Sequence, residues 1–144
     1  MQVQEIMTSN PTFCGPDASV QEAAKLTDDK SLGSIPVVND AGAPFAVVTD
    51  RDICCGAVAQ GKGTDTRASD VMSKDVLTTA PDDDVEECCT KMEEKQVRRA
   101  VVTDAAGKCC GIVAQADVAR EASGNETAKL VQKISRDEKT SGCC

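Results

Sequence analysis

Residues 35–52 read IPVVNDAGAPFAVVTDRD, two short runs rich in β-branched side chains, Ile35 to Val38 and Ala46 to Thr49, on either side of Asn39-Asp40-Ala41-Gly42. Such runs around a cluster of turn-forming residues predict a β-hairpin. A helix is expected to follow, from about Asp50 to Gln60.

Moving outward, the same pattern returns 65 positions later with no gap. Ala100 to Thr103 and Ile112-Val113 flank Asp104-Ala105-Ala106-Gly107, and a helix is expected from about Gln115 to Ala122. Eleven identities fall in the 47 pairs that align positions 6–52 with 71–117, among them Met7 with Met72, Pro16-Asp17 with Pro81-Asp82, and Asp52 with Asp117. Unrelated sequences would match at roughly three, so an internal duplication is the economical explanation. Before each hairpin lies an amphipathic stretch: Val20, Ala23, Ala24 and Thr27 recur at helical spacing, and Val85, Cys88, Cys89 and Met92 repeat that face. Ser19 with Glu22 and Asp84 with Glu87 have capping-box spacing. Each repeat therefore reads β-α-β-β-α. The expected fold class is α/β (α+β), two tandem repeats packed with pseudo-two-fold symmetry plus a C-terminal helix. The expected divisions are a first repeat over 1–60, a linker over 61–67, a second repeat over 68–123, and a helix and tail over 124–144. In that last segment the stretch Glu126 to Arg136 places Ala128, Leu130, Val131 and Ile134 near one helical face, and the tail from Asp137 is expected to fray.

Composition narrows the function. Sixteen basic against 24 acidic residues leave a net charge of −8, which opposes the phosphate neutralisation of sequence-independent nucleic-acid binding. No apolar run approaches the roughly 20 residues that span a bilayer, and Met1-Gln2-Val3-Gln4-Glu5 lacks the basic and apolar regions of a signal peptide, so the expected location is cytoplasmic with no membrane partner. Phe13 and Phe45 are the only aromatic residues, which leaves Val, Ile, Leu, Ala, Met and Cys to build a thin core that dimerisation would help. The nine cysteines form four adjacent pairs plus Cys14, without a Cys-x-x-Cys spacing or any His, so neither a metal site nor a disulfide framework is expected. Cys88 and Cys89 stand where the first repeat has Ala23 and Ala24, and are read as small buried residues; Cys143-Cys144 at the C-terminus is read as exposed and oxidisable. Without His no ordinary nucleophile-base pair can be assembled, and the chain is read as no enzyme.

The paired motifs carry a resemblance. Glu5-Ile6-Met7-Thr8 and Asp70-Val71-Met72-Ser73, then Pro16-Asp17-Ala18-Ser19-Val20 and Pro81-Asp82-Asp83-Asp84-Val85, then Ile35-Pro36-Val37-Val38 and Val47-Val48-Thr49-Asp50-Arg51-Asp52, resemble the CBS (cystathionine-beta-synthase) domain family from about Glu5 to Ala122. The most specific piece is Thr49 three residues before Asp52 at a strand-to-helix turn. The resemblance implies a stand-alone tandem pair, or Bateman module, whose cleft between repeats senses an adenine nucleotide and transmits the bound state to an unknown regulated protein. It implies AMP, ADP or ATP as ligand, with S-adenosylmethionine as the other candidate, no obligatory cofactor, and a homodimer. By the same resemblance Asp52 accepts from the ribose hydroxyls and Thr49 bonds the ribose or phosphate, while Ile35 and Pro36 line the adenine slot with apolar surface and backbone groups. Arg51 would neutralise phosphate charge beside the amides of the helix N-terminus. From their place just before the second repeat's core strand, Arg98 and Arg99 are expected to be within reach of a phosphate across the cleft.

Plainer readings stand beside each of these. Asp52 in a first helical turn complements the helix dipole whether or not it binds anything. Arg98 and Arg99 are equally a solvated pair or partners of Asp82 to Asp84. Around Asp117 the second repeat has Ala114 for the Thr and Ala116 for the Arg, with Val101 for Pro36, so one occupied site per chain is expected. The alternative function is a structural or dimerisation scaffold with an empty vestigial pocket.

Overall fold

The computed structural model describes residues 1–30, 32–121 and 124–135. In chain order the elements are β1 (Thr8–Ser9), α1 (Val20–Lys30), β2 (Ser34–Val38), β3 (Pro44–Thr49), α2 (Asp50–Ile53), β4 (Thr78–Thr79), α3 (Val85–Lys95), β5 (Arg99–Thr103), β6 (Cys109–Ala114), α4 (Gln115–Glu121) and α5 (Gly124–Ser135). They form a mixed α/β chain of two repeats with a helix after the second. The chain forms two compact units, one of Thr12–Val76 and one that joins Met1–Pro11 to the described residues from Leu77 to Ser135. Repeat period and compact unit are thus different divisions of the sequence, because the first eleven residues pack with the second repeat.

In the 12–76 unit, β2 and β3 pair antiparallel, with Ser34 opposite Thr49, Ile35 opposite Val48 and Pro36 opposite Val47. The turn between them is closed by the Asn39 Oδ1, which accepts from the amides of Ala41 and Ala43 at 3.0 Å, and by Gly42 at φ 83°, a left-handed angle that suits glycine. Period-2 alternation sends Ile35, Val37, Ala46 and Val48 into a core with Cys14, Ala23 and Ala68. The expected Ser19–Glu22 capping box is formed: the Ser19 Oγ accepts from the Glu22 amide at 3.1 Å, and Glu22 accepts from the Ser19 amide at 3.2 Å.

The other unit repeats this hairpin as β5–β6 and extends it to a four-stranded sheet ordered β1-β6-β5-β4. Asp104 Oδ1 closes its turn on the amides of Ala106 and Lys108. The expected strand Ile112-Val113 begins three residues earlier, at Cys109. Gly111 explains the difference: a Cβ there would lie 2.6 Å from the Met7 Sδ and 3.1 Å from the Thr8 carbonyl oxygen, so the glycine that weakens the strand signal is what lets β1 approach. Val85, Cys88, Cys89 and Met92 of α3 are buried as their spacing predicts. Burial pushes the Cys88 thiol above its ordinary range. Phe13 and Phe45, 49% and 38% exposed, are surface residues, so the core is indeed aliphatic.

Three expectations change. The helix after β3 is an α-helix only over Asp50–Ile53 and widens to a π-helix over Cys54–Val58. At Gly56 a Cβ would stand 3.1 Å from the Val71 side chain, a close approach that belongs to this widened turn. The Asp84–Glu87 box is not made: Asp84 instead lies 3.6 Å from the N-terminal amino group, while Asp83 accepts from the Ala80 amide and the Thr79 hydroxyl. Finally, α5 starts at Gly124 and buries Leu130 and Ile134 against the core, while Ala128 and Val131 of its expected face are exposed. The tail from Asp137 and Cys143-Cys144 lie outside the described residues. Among the described residues no helix is long and apolar enough to cross a membrane.

Candidate functional site

The 12–76 unit gathers Thr49, Arg51 and Asp52 at one strand-to-helix corner, with Ser34 opposite Thr49, while Ile35 and the fully buried Pro36 lie one and two places further along β2, opposite Val48 and Val47. Thr49 ends β3 and caps α2: its Oγ1 accepts from the Asp52 amide at 3.0 Å, and the Asp52 Oδ2 accepts from the Thr49 amide at 2.9 Å. A hydroxyl three residues before a carboxylate forms this reciprocal box because the extended N-cap residue and the first helical turn face each other. Arg51 is exposed on α2. Ile35 is fully buried in the core with Val37 and Val48 and is paired with Val48 in the ladder, so the whole residue, backbone included, is closed off by packing rather than lining an open slot. Pro36 alternates to the other face, with Ser34.

Sequence reasoning missed two residues of this corner. The Ser73 hydroxyl donates to Asp52, shared between Oδ1 at 3.1 Å and Oδ2 at 3.2 Å. Ser73 is held there by two backbone bonds with Val47, at 2.9 and 2.8 Å. The Ser34 hydroxyl, opposite Thr49 and in a residue only 4% exposed, has no hydrogen-bond partner among the described residues. The 65-residue offset held the signal for Ser73: it is the counterpart of Thr8, which pairs with Ile112 of β6 as Ser73 bridges to Val47 of β3. A carboxylate offers about four acceptor positions, so the Thr49 amide and the Ser73 hydroxyl leave about two on Asp52.

The remaining candidates, Arg98, Arg99 and Asp117, belong to the other unit. Arg99 in β5 stands opposite Ala114, the register position that Ser34 and Thr49 hold in the first corner. The Arg98 carbonyl accepts from the Gln115 amide at 3.0 Å. Asp117 Oδ2 accepts from the Ala114 amide at 2.8 Å, and its Oδ1 is paired with the Arg120 guanidinium. The Asp117 side chain is 8% exposed and carries a charge-assisted partner, which Asp52 does not have among the described residues. Arg120 was the third residue missed, although its position one helical turn after Asp117 is the spacing that brings such side chains together. Among the described residues, no group of three or more His, Cys, Asp or Glu is gathered as a metal site.

The chain matches the CBS domain family over residues 3–55 and again over 68–124. It is 35% identical over 126 residues to the CBS domain-containing protein YhcV of Bacillus subtilis, covering 88% of this chain and 89% of that one. The crystal structure of the conserved CBS domain protein TA0289 of unknown function from Thermoplasma acidophilum superposes with a TM-score of 0.80 at 25% identity, over 92% of this chain and 75% of that one. The CBS domain pair of protein MJ0100, solved in complex with 5-methylthioadenosine and S-adenosyl-L-methionine, gives a TM-score of 0.75 at 27% identity, over 83% of this chain and 94% of that one. With the family pattern matched twice and the hairpin-and-helix corner formed in both copies, the chain belongs to the CBS-domain family.

Proposed function

We propose that this chain is a non-catalytic regulatory module that binds an adenosine-type ligand, an adenine nucleotide of the AMP or ATP kind or S-adenosylmethionine, at the Thr49–Asp52 corner and passes the bound state to a partner protein. The observation that carries the reading is the Asp52 carboxylate. It is ionisable, partly exposed, fixed in place by the Thr49 amide, and retains about two acceptor positions, the number a ribose cis-diol needs. The Thr49 hydroxyl keeps a proton to donate, and exposed Arg51 supplies a cation for a phosphate or carboxylate. The MJ0100 complex supports the adenosine class, because that CBS pair holds two adenosyl compounds. Homodimerisation and a cytoplasmic location complete the proposal.

Calorimetric titration with AMP, ATP and S-adenosylmethionine tests it. At least one binds the wild type, and Asp52→Ala abolishes the heat while Asp52→Asn, which keeps the shape, weakens it. A ligand at 100 times its Kd also raises apparent stability by about 2.7 kcal/mol. Absence of binding by all three removes the sensor. The second reading is a dimerisation scaffold, favoured by one observation: Thr49 and Asp52 already satisfy each other as a cap for α2. A dimer in sedimentation with no thermal shift on adding nucleotide selects it.

A further inference from the structure

We infer that Ser73 is a positioning residue for the Asp52 carboxylate and sets selectivity for ligands that carry a ribose cis-diol; this rests on the adenosine reading above. Two donors from separate segments hold that carboxylate. The Thr49 amide takes Oδ2 at 2.9 Å, and the single Ser73 proton bridges both oxygens at 3.1 and 3.2 Å. An aspartate carboxylate otherwise turns readily about its last torsion, whose minima are broad. One donor on one oxygen leaves that turn open; a second donor shared by both oxygens closes it. Ser73 is suited to this because its own backbone is tied to Val47 of β3 by two hydrogen bonds.

The other repeat shows why a hydroxyl suits the task. There the carboxylate of Asp117 is also held by the amide three residues before it, but its second holder is the Arg120 guanidinium. A cation neutralises the acceptor while fixing it. A shared hydroxyl fixes Asp52 and leaves its charge and remaining acceptor positions to a ligand. A diol with both hydroxyls gains from an oriented carboxylate, whereas a deoxyribose with a single hydroxyl follows whichever orientation is adopted.

Full-length wild type, Ser73→Ala and Ser73→Thr are titrated with AMP and with 2′-deoxy-AMP. Ser73→Ala weakens AMP about fivefold, the worth of one modest hydrogen bond, leaves 2′-deoxy-AMP within twofold, and Ser73→Thr restores AMP. Equal weakening of both nucleotides, or none of AMP, overturns the inference. A ligand-free measurement separates its failure from that of the adenosine reading: amide exchange at Thr49 speeds severalfold in Ser73→Ala and returns in Ser73→Thr. Unchanged exchange overturns the positioning role whatever the protein binds, whereas wild type that binds no nucleotide refutes the adenosine reading instead.

Discussion

The two strand-to-helix corners share a backbone and differ in who holds the carboxylate. At Asp52 the second holder is a neutral hydroxyl from outside the helix, and the side chain stays partly exposed. At Asp117 it is Arg120, one helical turn on, and the side chain is buried. The counterpart of Arg120 in the first repeat is Cys55, a buried residue with no cation to offer. Duplication thus preserved the scaffold, while the two corners differ in whether the second partner of the carboxylate is a hydroxyl or a guanidinium.

The strongest way to break that comparison is to move one corner into the other. Ala114→Thr with Ala116→Arg and Arg120→Cys gives the second repeat the residues of the first, and the calorimetric stoichiometry is expected to rise from one nucleotide per chain to two. Asp117→Ala in the otherwise wild-type chain leaves affinity within about twofold, since that carboxylate already has its partners. Two equivalents bound by the wild type, or a loss on Asp117→Ala, would show that Arg120 does not close the second corner.

How much of this was legible in the sequence follows from what each residue answers to. The hairpins, α1, α3 and the duplication could be read because alternation, helical spacing and the Asn39-to-Gly42 and Asp104-to-Gly107 turns are local properties. Gly111 could not be read as strand, because its reason lies in Met7 and Thr8, about a hundred residues away. Thr49 and Asp52 were legible through a motif confined to four residues, whereas Ser73 reaches Asp52 from 21 residues along the chain. Ser34 announces itself only by a hydroxyl that has no hydrogen-bond partner among the described residues. The packing of Met1–Pro11 with the second repeat is likewise a tertiary choice that no local pattern declares.

A second contrast sharpens the structural half of the comparison. Gly111 and Ala46 are counterparts in the two hairpins, yet the Met7 sulfur occupies the place a Gly111 methyl would need. Gly111→Ala is expected to destabilise by about 1–3 kcal/mol through overpacking, whereas Ala46→Gly costs about 1 kcal/mol through backbone entropy and lost packing. Urea unfolding of both variants measures the difference. Equal losses would mean that β1 yields to the methyl and that the glycine is not required for the close approach.

The smallest effect concerns acid. Asp83 accepts from the Ala80 amide and the Thr79 hydroxyl, and these bonds, the amide first, hold its carboxyl below the ordinary aspartate range. Its counterpart in the first repeat is Ala18, whose amide donates to the Gly15 carbonyl at 3.2 Å just as the Asp83 amide donates to Ala80 at 3.2 Å, so both turns close but only one carries a titrating cap. A carboxyl whose folded pKa lies below its unfolded value stabilises fully above the unfolded value and loses that contribution as pH falls through the folded one. Stability of the wild type should therefore fall more steeply than that of Asp83→Ala as pH drops below about 4, while the two curves run parallel near neutrality. Because Asp83 is only partly buried, solvent screens it and the gap in slope is small, and it is read most cleanly as the pH dependence of urea midpoints at low salt. Parallel curves through the acid range would assign the cap to geometry alone, leaving the two turns equivalent in charge as well as in shape.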